Sequence, residues 1–137
     1  MRLFPFFLAF NLFNQHNEPI DWNRKKIVIV SNQNKRNVAI EWAHGLEHMI
    51  NDTSMIANIA SMRPELSGQI SRHIVKNAIK HIEPKNEVFI DWYENFATKN
   101  NITTYPTLLH IHEGKIISRT SGPFQLEKLY NFLNKSE

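Results

Sequence analysis

Two sets of histidines are the first residues in this chain whose types and spacing could do chemistry. His44-Gly45-Leu46-Glu47-His48 spells H-x-x-E-H. Two imidazoles one helical turn apart can hold zinc while the glutamate between them acts as general base. On that reading His44 and His48 are ligands and Glu47 is the base of a metal-binding protein or metal-assisted hydrolase. The surroundings argue against it. Gly45 weakens a helix, and a further ligand must come from far along the chain. His44 and His48 also fall opposite the apolar Trp42/Leu46 stripe, sharing a face with Glu41, as solvated residues do. His110 and His112 alternate along an apolar run and so point to one side of a strand. There they could bind a metal or titrate near about pH 6.5, with cross-strand packing as the expected role. His73 and His81 read as surface residues. With four glycines in all there is no phosphate-cradling loop, and neither a nucleophile elbow nor a carboxylate pair is visible.

The chain has 137 residues and no cysteine. That length suits one domain with a real core. The missing sulfur excludes disulfide scaffolds, thiolate zinc fingers, dithiol oxidoreductases and cysteine hydrolases. Hydrophobic residues at 42% and charged residues at 21% describe a globular protein. The net charge of +3 is spread along the chain. The one basic cluster, Arg24 to Lys26 with Lys35 and Arg36, is too small and too poor in aromatics for nucleic acid. No cofactor is expected.

The elements that must position these residues follow from the apolar pattern. Five of the nine phenylalanines lie within the first 13 residues, after a single Arg2. The run is too short to span a bilayer and suits a secretory leader or hydrophobic anchor. Residues 1–15 are therefore assigned to the leader and 16–137 to the working domain. This predicts a bacterial periplasmic or secreted protein, the alternatives being inner-membrane anchored or cytoplasmic, and contact with membrane only through that segment if it stays uncleaved. Lys26 to Val30 reads as a strand buried on both faces, followed by a helix with Val38, Trp42, Leu46 and Met49/Ile50 on one side. Residues 53–63 are read as a strand, though Ile56, Ile59 and Met62 also fit helical spacing. Pro64 and Glu65 open a helix with Ile70, Ile74, Ala78 and Ile82 on its apolar face, stopped by Pro84. Glu87 to Asp91 is a strand, and Trp92 to Asn100 a short helix or turn. Thr107 to His112 and Lys115 to Arg119 form a hairpin about Glu113-Gly114. Ser121-Gly122-Pro123 leads into a last helix with Leu126, Leu129, Tyr130 and Leu133 on its buried face.

One stretch carries a more specific pattern: Asn101-Ile102-Thr103-Thr104-Tyr105-Pro106-Thr107-Leu108-Leu109, continued by Glu113-Gly114-Lys115 and Gly122. It resembles the C-terminal half of the thioredoxin family, and Asp91, 15 residues before Pro106, is where thioredoxins and their TlpA-like relatives place an aspartate. The match covers about 50 residues from Val88 onward and thins toward the N-terminus. The resemblance implies an α/β three-layer sandwich: a mixed central sheet, helices on both faces, and a C-terminal hairpin plus helix. It also implies an inserted element around residues 53–84. It aligns Asn34, Lys35, Arg36 and Asn37 with the family's C-x-x-C, so the chain departs from the family at its redox site. By the same resemblance Pro106 is cis, and Thr104, Tyr105 and Pro106 border a peptide-binding site beside that loop. The implied function is a redox-inactive accessory, assembly or chaperone-like factor, its partner a protein or extended peptide.

Overall fold

The computed structural model describes residues 11–69, 71–83, 86–113 and 115–134. The expectations placed on residues 1–10, Ile70, Pro84 and the Gly114 turn lie outside them. Alternation along the strands builds the fold. β2 (Ile27–Ser31) is buried along its whole length, and its β-branched side chains enter two cores in turn. Val28 and Val30 join Ala57 and Ile59 of β3 (Ile56–Ser61), Phe89 of β4 (Val88–Asp91), and Leu109 and Ile111 of β5 (Thr107–His112). That core is covered by Phe96 and Ala97 of α4 (Asn95–Lys99), with Leu12 and Ile20. On the opposite face Ile27, Ile29, Ile56 and Leu108 meet Trp42 and Leu46 of α1 (Arg36–Met49) and Leu129 and Phe132 of α5 (Leu126–Asn134). Each such fully buried side chain contributes roughly 1.5–3 kcal/mol over leaving it exposed.

With β1 (Phe13–Asn14) and β6 (Lys115–Ser121), the six strands lie in the order β1-β4-β3-β2-β5-β6. β2, β3 and β4 are mutually parallel, while β1, β5 and β6 each run antiparallel to their neighbours. The mixed sheet between helical layers, ending in a hairpin and a helix, is the architecture expected. Residues 53–63 resolve as a short 3-10 turn, Thr53–Met55, and strand β3.

Two expectations are corrected. The helix opened at Pro64 is two helices, α2 (Pro64–Gln69) and α3 (Arg72–Ile82). Ser71 breaks it: its backbone is extended (ψ 132°) and its carbonyl accepts from the amides of Ile74 and Val75. Ile74 and Ile82 are then exposed at 61% and 56%, because α3 lies outside the two cores. On α5 the buried residues are Leu129 and Phe132, while Leu126 and Tyr130 face solvent. The reason is the close contact with α1: a Cβ on Gly45 would stand 2.8 Å from Phe124 and 2.9 Å from Leu129. The glycine that weakens α1 thus admits α5. Leu12, Asn14 and Gln15, which precede the boundary drawn between residues 15 and 16, are all buried, and β1 pairs with β4.

Gln15 belongs to a polar closure at the starting ends of the parallel strands. Its amide donates to the carbonyls of Glu83 (2.8 Å) and Asn86 (2.7 Å) and its oxygen accepts from the Val88 amide (2.9 Å). Beside it buried Lys25 donates to Ser54 O (2.9 Å) and pairs with Glu87 (3.0 Å). Few side chains at this end are left with unused hydrogen-bonding capacity.

Candidate functional site

The other ends of the same strands meet the loop before β5, and a groove of about 410 Å³ opens there. It is lined by Asn32, Lys35, Val38, Thr103, Thr104, Tyr105, Pro106, Gly122 and Pro123. Its first wall is built locally. Asn32 follows β2 and its side-chain oxygen accepts from the Lys35 amide at 2.9 Å, capping the 3-10 turn Gln33–Lys35 that feeds α1. The second wall is the Thr103–Pro106 loop, where the Thr107 hydroxyl donates to Thr104 O at 2.5 Å and the Tyr105–Pro106 peptide is cis. Gly122 ties the walls together: its amide donates to Pro106 O (3.2 Å) and its carbonyl accepts from the indole of Trp42 on α1 (2.9 Å). Its φ of +91° is one that a side chain rarely tolerates. The amide and carbonyl of Tyr105 enter no main-chain hydrogen bond among the described residues.

Behind the groove lies a polar network. Asp91, 1% exposed, accepts from the amides of Phe96 (2.7 Å) and Ala97 (3.0 Å), capping α4, and from the Ser61 hydroxyl (2.8 Å). Burial pushes its carboxyl above the ordinary value, against the opposing pull of those donors. The Tyr105 hydroxyl donates to Glu94 at 2.6 Å, and burial together with that carboxylate raises the phenol above its usual range. Tyr93 and Glu94 both have positive φ, 61° and 54°, so the chain turns sharply to bring Glu94 back to Tyr105.

Of the residues singled out in the sequence, Lys35, Thr104, Tyr105 and Pro106 line one groove. Asn34, Arg36 and Asn37 do not line it: all three are exposed, and Arg36 turns to Glu83 at 3.3 Å. Asn32 and Thr103 went unseen because turn geometry brings them there, and Val38 and Pro123 because helix packing does. Gly122 was visible as a glycine, but its bridging of Trp42 and Pro106 was not. His44, Glu47 and His48 are exposed on α1, and His44 and His48 border a second cavity of about 500 Å³ with Met49, Phe124 and Leu126. No group of three or more His, Asp or Glu placed to hold a metal occurs among the described residues. His110 packs on Phe132 with ring centroids 5.7 Å apart, and its Nδ1 is buried without a partner among them. Burial holds its pKa below 6.5. His112 is exposed.

Comparison with solved structures places this arrangement. The chain superimposes on the exposed lipoprotein thioredoxin of Streptococcus pneumoniae with a TM-score of 0.67 at 18% identity, covering 93% of this chain and 98% of that one. The fold is thioredoxin-like. The N-terminal domain of PilB from Neisseria gonorrhoeae matches with a TM-score of 0.62 at 16% identity over 92% of this chain and 89% of that one. A thiol-disulfide isomerase from Corynebacterium glutamicum gives 0.61 at 16% over 92% and 94%. No protein-family model and no curated protein matches the sequence. This thioredoxin-like chain has no cysteine to supply an attacking thiolate, so thiol-disulfide exchange has no nucleophile in it. No helix among the described residues is long and apolar enough to cross a membrane.

Proposed function

We propose that this protein is a redox-inactive thioredoxin-like binding module that holds an extended segment of a partner protein in the groove between Lys35 and Tyr105. The observation that carries the reading is the main chain of Tyr105, which enters no main-chain hydrogen bond among the described residues and belongs to a residue lining an open, partly apolar groove. An extended peptide laid there can pair with the Tyr105 amide and carbonyl as an added strand, which needs no thiol. The rest of the fold supports that use. Gly122 and Trp42 hold both walls at fixed separation, so little ordering cost falls on binding. The role is that of an accessory, assembly or chaperone-like factor. A place in the bacterial envelope accords with the leader-like N-terminus and with the words "exposed lipoprotein" and "secreted" that describe two structural neighbours.

The test is photo-crosslinking from inside and outside the groove. A benzophenone residue placed at Lys35 or Thr104 is expected to join the same extended segment of one partner, whereas one at exposed Glu47 is not. Equal adduct yields from all three positions overturn the reading.

A further inference from the structure

Resting on the groove reading above, we propose that the segment held there carries acidic side chains, whose carboxylates meet Lys35 on one wall and Lys128 near Gly122. Lys35 is the only charged residue lining the groove, and it makes no ion pair among the described residues. Lys128 donates to Ser121 O at 3.2 Å, and its ammonium stands 3.7 Å from where a Cβ on Gly122, a lining residue, would be. No aspartate or glutamate is among the lining residues. Among the described residues the one carboxylate bonded to a lining side chain is Glu94, which accepts from the Tyr105 hydroxyl. The remaining surface is apolar or neutral: Val38, Pro106 and Pro123 with Asn32 and the threonines.

Chain geometry turns these charges into a preference. Successive side chains of an extended peptide point to opposite sides. A segment of alternating apolar and acidic residues, paired with the Tyr105 main chain, rests one set on Val38, Pro106 and Pro123 and offers the other to the two lysines. Main-chain pairing supplies affinity without regard to sequence, so the lysines supply the choice. Exposed charge pairs are individually weak, and two together amount to about a two- to tenfold difference in Kd at low salt.

The experiment uses the full chain and three fluorescein-labelled heptapeptides, Ser-Val-Glu-Val-Glu-Val-Ser and its counterparts with Gln or Lys in place of Glu, read by anisotropy. The Glu peptide is expected to bind about two- to tenfold tighter than the Gln peptide at low salt, and the gap should close at about 0.5 M salt, where screening is nearly complete. Lys35→Glu is expected to reverse the order so that the Lys peptide binds best, Lys128→Gln to narrow the gap, and His48→Ala to leave it unchanged. Equal binding of the Glu and Gln peptides overturns the acidic preference and leaves the groove standing. A preference that survives Lys35→Glu combined with Lys128→Gln places the selecting charge elsewhere and also overturns it. Failure of all three peptides to bind at millimolar protein overturns the groove itself.

Discussion

Where β2, β3 and β4 begin, Gln15 and Lys25 are consumed by the fold; where they end, an open groove is bordered by main chain that the fold does not use. At the first end Gln15 satisfies two carbonyls and one amide, and Lys25 reaches Ser54 O, Ile56 O and Glu87. At the second, Asp91 and Ser61 are satisfied from within, but the Tyr105 main chain enters no main-chain hydrogen bond among the described residues, and Tyr105 borders an open groove. Both ends carry the desolvation cost of polar atoms in a small domain. The end where the strands finish combines an unengaged stretch of main chain among the described residues with an open groove, and such ends are where open sheets of parallel strands bind ligands.

Removing the closure should therefore cost far more stability than trimming the open end. Gln15→Ala strands the Glu83 and Asn86 carbonyls and the Val88 amide and empties a fully buried site. A loss of about 3–5 kcal/mol is expected in urea unfolding, a large part of what such a domain has. Ser31→Ala, at the finishing end, removes only a 3.2 Å bond from the hydroxyl to Asn32 O and should cost under about 1 kcal/mol. Equal costs at the two positions would erase the distinction between the ends.

How much of this could be read from the sequence differs in the same way. The buried strands were legible because Ile27 to Val30 and Val88 to Ile90 are continuous apolar runs, and Tyr105-Pro106-Thr107 was legible through a family pattern. The closure was not. Gln15 and Lys25 are residue types that normally face water, and their burial depends on partners up to 73 residues away. The same blindness split the groove: Lys35 was found through its loop, while Val38 and Pro123 arrive through the packing of α1 and α5. Ile74 and Ile82 erred the other way, since helical spacing marks an apolar face without saying what covers it.

The two ends should also answer acid with opposite signs. Asp91, at the finishing end, has its carboxyl raised by burial, so the native state binds its proton more tightly than the unfolded chain. Its contribution to stability then falls as pH rises from the ordinary 3.8 toward the higher folded value. His110, paired with Ile27 at the starting end, is held below 6.5 by burial, so the native state resists its proton. That contribution is lost as pH falls below 6.5. Asp91→Asn keeps the shape but loses acceptors for Ala97 and Ser61, and should cost about 1–2 kcal/mol at neutral pH. The gap between wild type and this variant should widen toward acid, as wild type alone gains from protonation. His110→Leu should cost or gain less than about 1 kcal/mol at neutral pH and make stability flatter just below 6.5. Urea midpoints at several pH values check both, and a gap for Asp91→Asn that narrows toward acid would reverse the assigned sign.

Tyr105 lets the ring and the main chain of one residue be separated. Its hydroxyl serves the fold through Glu94, a half-buried bond to a residue that can turn to water when released. In the proposed function its amide and carbonyl are the groove's pairing edge. Tyr105→Phe removes the first and leaves the second, so the expected loss of stability is small, about 0.5–1 kcal/mol. Binding of an extended peptide, if it runs along the main chain, should stay within about twofold of wild type. A tenfold loss of binding at that small cost in stability would mean that the phenol itself, and not the strand edge, is what the partner recognises. The open end would then be a side-chain site with polar atoms of its own committed to ligand, and Glu94→Gln, which disturbs the same hydroxyl from the other side, should produce the same loss.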